Sequence, residues 1–162
     1  KKGAIISAVD VIKGLGKCTG MTVIDVPGAT GYLDTNYDGK VAAALEALKT
    51  HDFVYLHVEA IDECSHEGDL KLKLRAIEDF DRKVVVPVLQ ALRTEEVTFA
   101  VLPDHPVPIR LRKHTTTPVP VALCGPGIEP DTVTIFSERL APTGKLGFLR
   151  QEELMKKVLR LP

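Results

Sequence analysis

No apolar run in this sequence approaches the roughly 18 residues that a membrane span requires. The opening, KKGAIISAVDVIKG, has a basic pair, but its apolar stretch is short and no small-residue cleavage site follows, so it does not read as a signal peptide. Cysteine is scarce: Cys18, Cys64 and Cys124 are odd in number and widely spaced. That pattern argues against a disulfide framework and for a reducing, cytoplasmic compartment. No CxxC occurs, which removes the usual thiolate zinc site. Excess charge is lacking too. Lys plus Arg is 21 and Asp plus Glu is 22, a formal charge of −1, and nothing in that balance points to nucleic acid or an anionic membrane. There is no internal repeat, low-complexity tract or interdomain linker. The GLG of KGLGKCTG is neither a dinucleotide fingerprint nor a P-loop.

What remains is the profile of a globular protein. The 162 residues are 44% hydrophobic and 27% charged, a length that suits one domain able to build its own core. The chain starts with Lys, which leads to the expectation of a processed product or a piece of something longer.

Strand-like and helix-like segments alternate. Ala4–Ile6 is a short apolar run leading into SAVDVIKGLGK, a helix that Ser7 is expected to cap and Gly14 and Gly16 to end. Met21–Val26 reads as a strand closed by Pro27 and Gly28. A loop runs to Gly39, and Lys40–His51 is a helix of strong propensity. Asp52–Ala60 has the β-branched and aromatic profile of a buried strand. From Asp69 to Arg93, Leu70, Leu74, Ile77, Val84, Val85, Val88 and Leu92 recur at helical spacing, and Pro87 should kink or break the helix. Thr98–Pro103 and Pro118–Gly125 read as strands, the second short or at an edge because of its prolines, and Leu154–Leu161 as a closing helix. Such alternation predicts an α/β fold, a mostly parallel sheet with helices on both faces.

In open parallel sheets, functional loops lie at the carboxyl ends of strands. Three such loops hold unusual residues. EAIDECSHEGD places Asp62 and His66 four apart, so they can point the same way on one helical turn. They are hard and borderline ligands suited to manganese, zinc or magnesium, although acidic residues also favour any helix start. DHPVPIRLRKH places Asp104 and His105 directly after a strand; a proline-rich turn is the plainer reading. His114 follows in KHTTTPVPV, where a lone histidine on the surface is the plainer reading. Taken together, two Asp and three His in loops at strand ends suggest a two-metal phosphoryl-transfer site. His57 lies within a strand pattern and reads as structural. The basic cluster from Arg110 to His114 is either an attractor for a small anion or a solvated loop.

DECSHEGD, PDHP and KHTTTPVPV, in that order, resemble the metal motifs of the alkaline phosphatase superfamily, and most closely the archaeal-type cofactor-independent phosphoglycerate mutases. GAIISAVDVIKGLG, GATGYLDTNYDGK and AIEDFDRKVV resemble that family too. The resemblance covers nearly the whole chain but less than half of the family's length, its C-terminal portion. It implies that residues 1–162 form the C-terminal portion of a metal-binding catalytic domain, an incomplete alkaline phosphatase-like sheet. The N-terminal segment and the inserted phosphate-binding domain lie outside it. It implies two divalent ions, manganese first and zinc or magnesium as alternatives. Asp62, His66 and His114 resemble the ligands of one ion, and Asp104 and His105 part of the other's shell. The family's N-terminal Asp and its nucleophilic Ser or Thr have no counterpart motif here. The implied activity of the intact protein is interconversion of 3-phosphoglycerate and 2-phosphoglycerate through a phosphoenzyme, with Lys13 adding positive charge near the phosphoryl group and Glu59 supporting the site. The implied partner is a small phosphorylated substrate, and an exposed sheet edge invites self-association. A related phosphohydrolase or phosphotransferase and a non-catalytic α/β fragment remain as alternatives.

Overall fold

A computed structural model describes residues 1–150 and 152–161. The described chain divides into two compact units, Lys1–Arg93 with Val107–Lys113, and Thr94–Pro106 with the residues from His114 onward.

The first unit is built on a three-stranded parallel sheet. β1 (Gly3–Ile6) is central, flanked by β2 (Thr22–Ile24) and β3 (Phe53–Leu56). Ile5 sits opposite Val23 on one side and Tyr55 on the other. β1 is buried along its whole length, as expected of an apolar strand with neighbours on both edges.

α1 (Asp10–Cys18) connects β1 to β2. Gly14 and Gly16 lie inside it and do not end it. A Cβ on Gly16 would stand 2.6 Å from Cγ2 of Ile5, so this glycine permits close approach of helix and sheet. Ser7 does not cap α1 directly. Its Oγ accepts from the Val9 backbone N–H at 3.0 Å, one step before the helix. α2 (Tyr37–Leu48) starts three residues earlier than propensity suggests, because the Asn36 side chain accepts from the Gly39 N–H at 2.9 Å and nucleates the turn.

β3 is followed by α3 (Ala60–Glu67), then α4 (Leu70–Phe80), capped by the Asp69 carboxylate on the N–H groups of Lys71 and Leu72. A π-helical turn, Asp81–Val85, joins α4 to α5 (Val86–Ala91). Pro87 accounts for the interruption: it has no N–H to give, and its ring would crowd the carbonyl one turn back, at Lys83. The apolar periodicity is only partly buried. Leu70, Leu74 and Ile77 are 58%, 51% and 43% exposed, while Ala76 and Asp79 face inward. Ala76 packs with Ala60 and Cys64 of α3, and Val84 packs with Tyr37 and Val41 of α2.

The second unit contains β4 (Phe99–Val101) and β5 (Ala122–Cys124), paired antiparallel with Ala100 opposite Leu123, then a short 3₁₀ turn and α6 (Glu153–Leu159). The two sheets are separate, so the three candidate loops do not spring from one sheet. Among the described residues, no helix is long and apolar enough to cross a membrane.

Candidate metal centre

α3 carries two of the candidate residues, Asp62 and His66. Its start is strongly acidic. The Glu59 carbonyl accepts from the Asp62 and Glu63 N–H groups at 2.8 and 3.2 Å, and the carboxylates suit the positive end of the helix. Ala60, Cys64 and Ser65 are buried, which turns Asp62 and His66 together toward the outside of the core. At a spacing of four they lie one above the other, with His66 Nε2 3.3 Å from Asp62 Oδ2.

The other imidazole nitrogen has a main-chain partner. His66 Nδ1 lies 2.9 Å from the backbone oxygen of Arg112. A carbonyl only accepts, so Nδ1 carries a proton. In a neutral ring Nε2 then holds a lone pair, and that lone pair faces a carboxylate oxygen. Two acceptors in this position repel unless a proton or a cation lies with them. A histidine whose second nitrogen donates to a backbone carbonyl is the usual arrangement around a metal ligand. The donor set thus suits a divalent ion.

The carbonyl is held in place by its own segment. Leu111 and Arg112 N–H groups both donate to the Pro108 carbonyl, at 2.8 and 2.9 Å, and Lys73 Nζ donates to the Val107 carbonyl at 2.9 Å. Arg112 has φ +52°, a left-handed conformation uncommon outside glycine. Its guanidinium lies over Gly68, the left-handed residue that ends α3. Arg112 acts through its main chain, and a backbone carbonyl leaves no mark in residue type, so no sequence signal could have singled it out.

The second unit holds the other three candidates, in the connection between β4 and β5. Asp104 Oδ1 accepts from the His105 N–H at 2.9 Å, and its Oδ2 lies 3.2 Å from His105 Nε2. The His105 and His114 rings stack, with centroids 3.7 Å apart and planes at 23°. The Thr115 N–H donates to the Pro106 carbonyl at 3.0 Å, which pins the loop so that these rings meet. Within this unit His105 therefore meets both the Asp104 carboxylate and the His114 ring.

The remaining candidates are placed differently. Lys13, on α1, forms an ion pair with Asp25 at 2.8 Å. The hydrogen bond to Asp25 raises the lysine's pKa and lowers the aspartate's. His57 lies just past β3, where its N–H donates to the Ile6 carbonyl at 2.9 Å and its Nδ1 hydrogen-bonds Ser7 Oγ at 3.0 Å. Lys40 received no role from the sequence, yet it is fully buried, with Nζ donating to the His57 carbonyl at 3.1 Å.

The sequence matches the metalloenzyme superfamily over residues 1–160. It is 49% identical to a 2,3-bisphosphoglycerate-independent phosphoglycerate mutase of Methanosarcina acetivorans, over 99% of this chain and 41% of the relative. It is 54% identical to the protein of that name in Methanothrix thermoacetophila, over 96% of this chain and 40% of the relative. Among solved structures, a Pyrococcus horikoshii protein superposes with a TM-score of 0.93 at 36% identity, covering 99% of this chain and 48% of that one. The cofactor-independent phosphoglycerate mutase of Thermoplasma acidophilum superposes with a TM-score of 0.67 at 26% identity, over 99% and 36%. The chain spans about two fifths of the length of these curated relatives.

Proposed function

We propose a catalytic role for this chain from one premise, that it belongs to the metalloenzyme superfamily. In the intact protein, the role is the interconversion of 3-phosphoglycerate and 2-phosphoglycerate through a phosphoenzyme, without a bisphosphoglycerate cofactor. The names of the similar proteins support the substrate, and the observation that carries the metal assignment is the His66 geometry. Asp62 and His66 on α3, with Asp104, His105 and His114 between β4 and β5, serve as ligands for two divalent ions, manganese by their mixed oxygen and imidazole chemistry.

When bound, such ions supply Lewis-acid polarisation and positive charge for the oxygens of a transferring phosphoryl group. The chain's own residues prepare the ground. The Arg112 carbonyl holds His66 as the tautomer whose Nε2 can donate an electron pair, and Asp62 presents a carboxylate beside it. The Asp104 side chain holds its own turn through the His105 N–H. Lys13 adds positive charge to the phosphoryl group by exchanging its exposed partner Asp25, a pair weakly held in water. The nucleophile comes from outside these residues. The setting is a reducing cytoplasm, consistent with free Cys18, Cys64 and Cys124. The isolated chain self-associates through β2 or β3, the edges of its three-stranded sheet.

The test is turnover of 3-phosphoglycerate with manganese by the full-length protein and by residues 1–162 alone. The expected result is 2-phosphoglycerate from the full-length protein only, abolished by Asp62→Ala or His66→Ala. Release of inorganic phosphate without 2-phosphoglycerate would replace the mutase with a phosphohydrolase. Turnover by residues 1–162 would place the nucleophile within them.

A further inference from the structure

As a neutral ring, His66 has two hydrogen-bonding choices, and they exclude one another. With its proton on Nδ1 it donates to the Arg112 carbonyl, 2.9 Å away, and turns the Nε2 lone pair toward Asp62. With its proton on Nε2 it donates to Asp62 Oδ2, 3.3 Å away, and sets an Nδ1 lone pair against the Arg112 carbonyl. Only the first choice leaves Nε2 open to a cation beside the Asp62 carboxylate. A carboxylate is the stronger acceptor of the two. The first tautomer therefore prevails only while the carbonyl is held against the ring.

The carbonyl belongs to Val107–Lys113, a segment of the first unit that is tied to two helices. Near its end, the Arg112 carbonyl meets His66 in the last turn of α3. At its start, the Val107 carbonyl accepts from Lys73 Nζ on α4 at 2.9 Å. Between these ties, the Pro108 carbonyl accepts from the Leu111 and Arg112 N–H groups, and Arg112 takes its left-handed φ of +52°. One turn thus links the ammonium to the ring. Val107 is only 5% exposed, so its carbonyl needs a donor away from water, and Lys73 supplies one. Remove that donor and the segment satisfies the carbonyl by turning outward, which withdraws the Arg112 carbonyl from His66.

We infer that Lys73 is a positioning residue that, through the Pro108 turn, locks His66 as the Nδ1–H tautomer and keeps Nε2 available beside Asp62. This rests on the reading of Asp62 and His66 as metal ligands. The role is opposite to the one the lysine's charge suggests. An ammonium near a cation site weakens binding by repulsion, whereas a lock on the ligand strengthens it, so the two effects differ in sign.

The experiment is imidazole nitrogen NMR of the metal-free full-length protein carrying isotope-labelled histidine, at a pH where the ring is neutral, beside calorimetric titration with manganese. The variants are Lys73→Met, Lys73→Arg, Arg112→Pro and His66→Ala, the last of which identifies the His66 signals. In Lys73→Met the proton moves to Nε2, toward Asp62, and manganese affinity falls about tenfold, the scale of effects from groups that support metal ligands. Lys73→Arg keeps a charged donor and recovers most of both. Proline at position 112 cannot hold φ +52° and has no N–H for the Pro108 carbonyl. Arg112→Pro therefore releases the same carbonyl without touching Lys73 and reproduces both changes. Damage to the fold alone lowers affinity without moving the proton. A His66 ring still protonated on Nδ1 in Lys73→Met overturns the inference, and so does a manganese affinity that stays level or rises there. His66→Ala separates the two levels. If it leaves manganese binding intact, the ligand reading fails and this inference with it; if it abolishes binding while the tautomer in Lys73→Met is unchanged, only the Lys73 inference fails.

Discussion

Replacing Gly68 with Ala sets two effects against each other at the end of α3. Gly68 terminates α3 at φ +77°, with its N–H on the Ser65 carbonyl at 3.1 Å. An L-residue held there costs about 1–2 kcal/mol. A Cβ would also crowd the Arg112 guanidinium, approaching Cζ at 2.8 Å and Nη2 at 2.9 Å. The guanidinium is the far end of a flexible, exposed side chain, and it can swing into water for a few tenths of a kcal/mol, roughly a rotamer's worth. Backbone strain should therefore dominate. Gly68→Ala is expected to lower stability by about 1–2 kcal/mol, or about 2–8 °C in melting temperature. Adding Arg112→Ala should recover little of it, and Gly68→Asn should cost less than Ala, because Asn tolerates this conformation. The His66 bond to the Arg112 backbone survives a swing of the side chain, so manganese affinity should change only a few-fold. The assay is thermal denaturation of the three variants beside manganese titration. A double variant as stable as wild type would refute the reasoning, because it would make the contact rather than the backbone the source of the cost.

Two other perturbations probe the core beside the site. Asp79 is buried, which opposes its charge, but hydrogen bonds from Arg82 at 2.8 Å and from Lys83 hold its carboxyl below the ordinary value of 3.8. A lowered folded-state pKa stabilises above the unfolded value and fades as pH falls through the folded one. Asp79→Asn should therefore lose about 1 kcal/mol at neutral pH, kept small by its partners' exposure, and the gap to wild type should close below pH 3.8 in acid denaturation. A gap that persists unchanged in acid would assign the effect to packing. Cys64 is fully buried between Ala60 and Ala76, and burial chiefly raises its thiol pKa. Cys64→Ser should lower the melting temperature, by the desolvation of an added hydroxyl, and leave manganese stoichiometry unchanged. Lost metal would make the thiolate a ligand.

The fold was legible where one local force decides. β1 and β3 follow from β-branched and aromatic runs, and α2 from its alanine-rich interior. It was illegible where two elements negotiate. Gly16 resembles a helix stop in isolation, and only the presence of Ile5 beneath it gives it a place inside α1. Leu70, Leu74 and Ile77 repeat like a core stripe, yet α4 turns Ala76 toward α3, because a small residue lets the helices approach. The π-helical turn then rotates the face, so that Val84 and not Ile77 meets Tyr37.

The candidate site divides along the same line. Asp62 and His66 could be paired from their spacing, since a helix fixes what stands four residues away. Asp104 and His105 are adjacent, and their mutual approach likewise needed no long-range information. The stacking of His105 on His114 depends on a loop closed by Thr115 on Pro106, which no spacing rule contains. Deeper still are the groups that orient these side chains. The Arg112 carbonyl is a main-chain atom 46 residues from the ring it orients. Reactive residue types announce themselves in a sequence, whereas the atoms that select their tautomers and partners are supplied by folding.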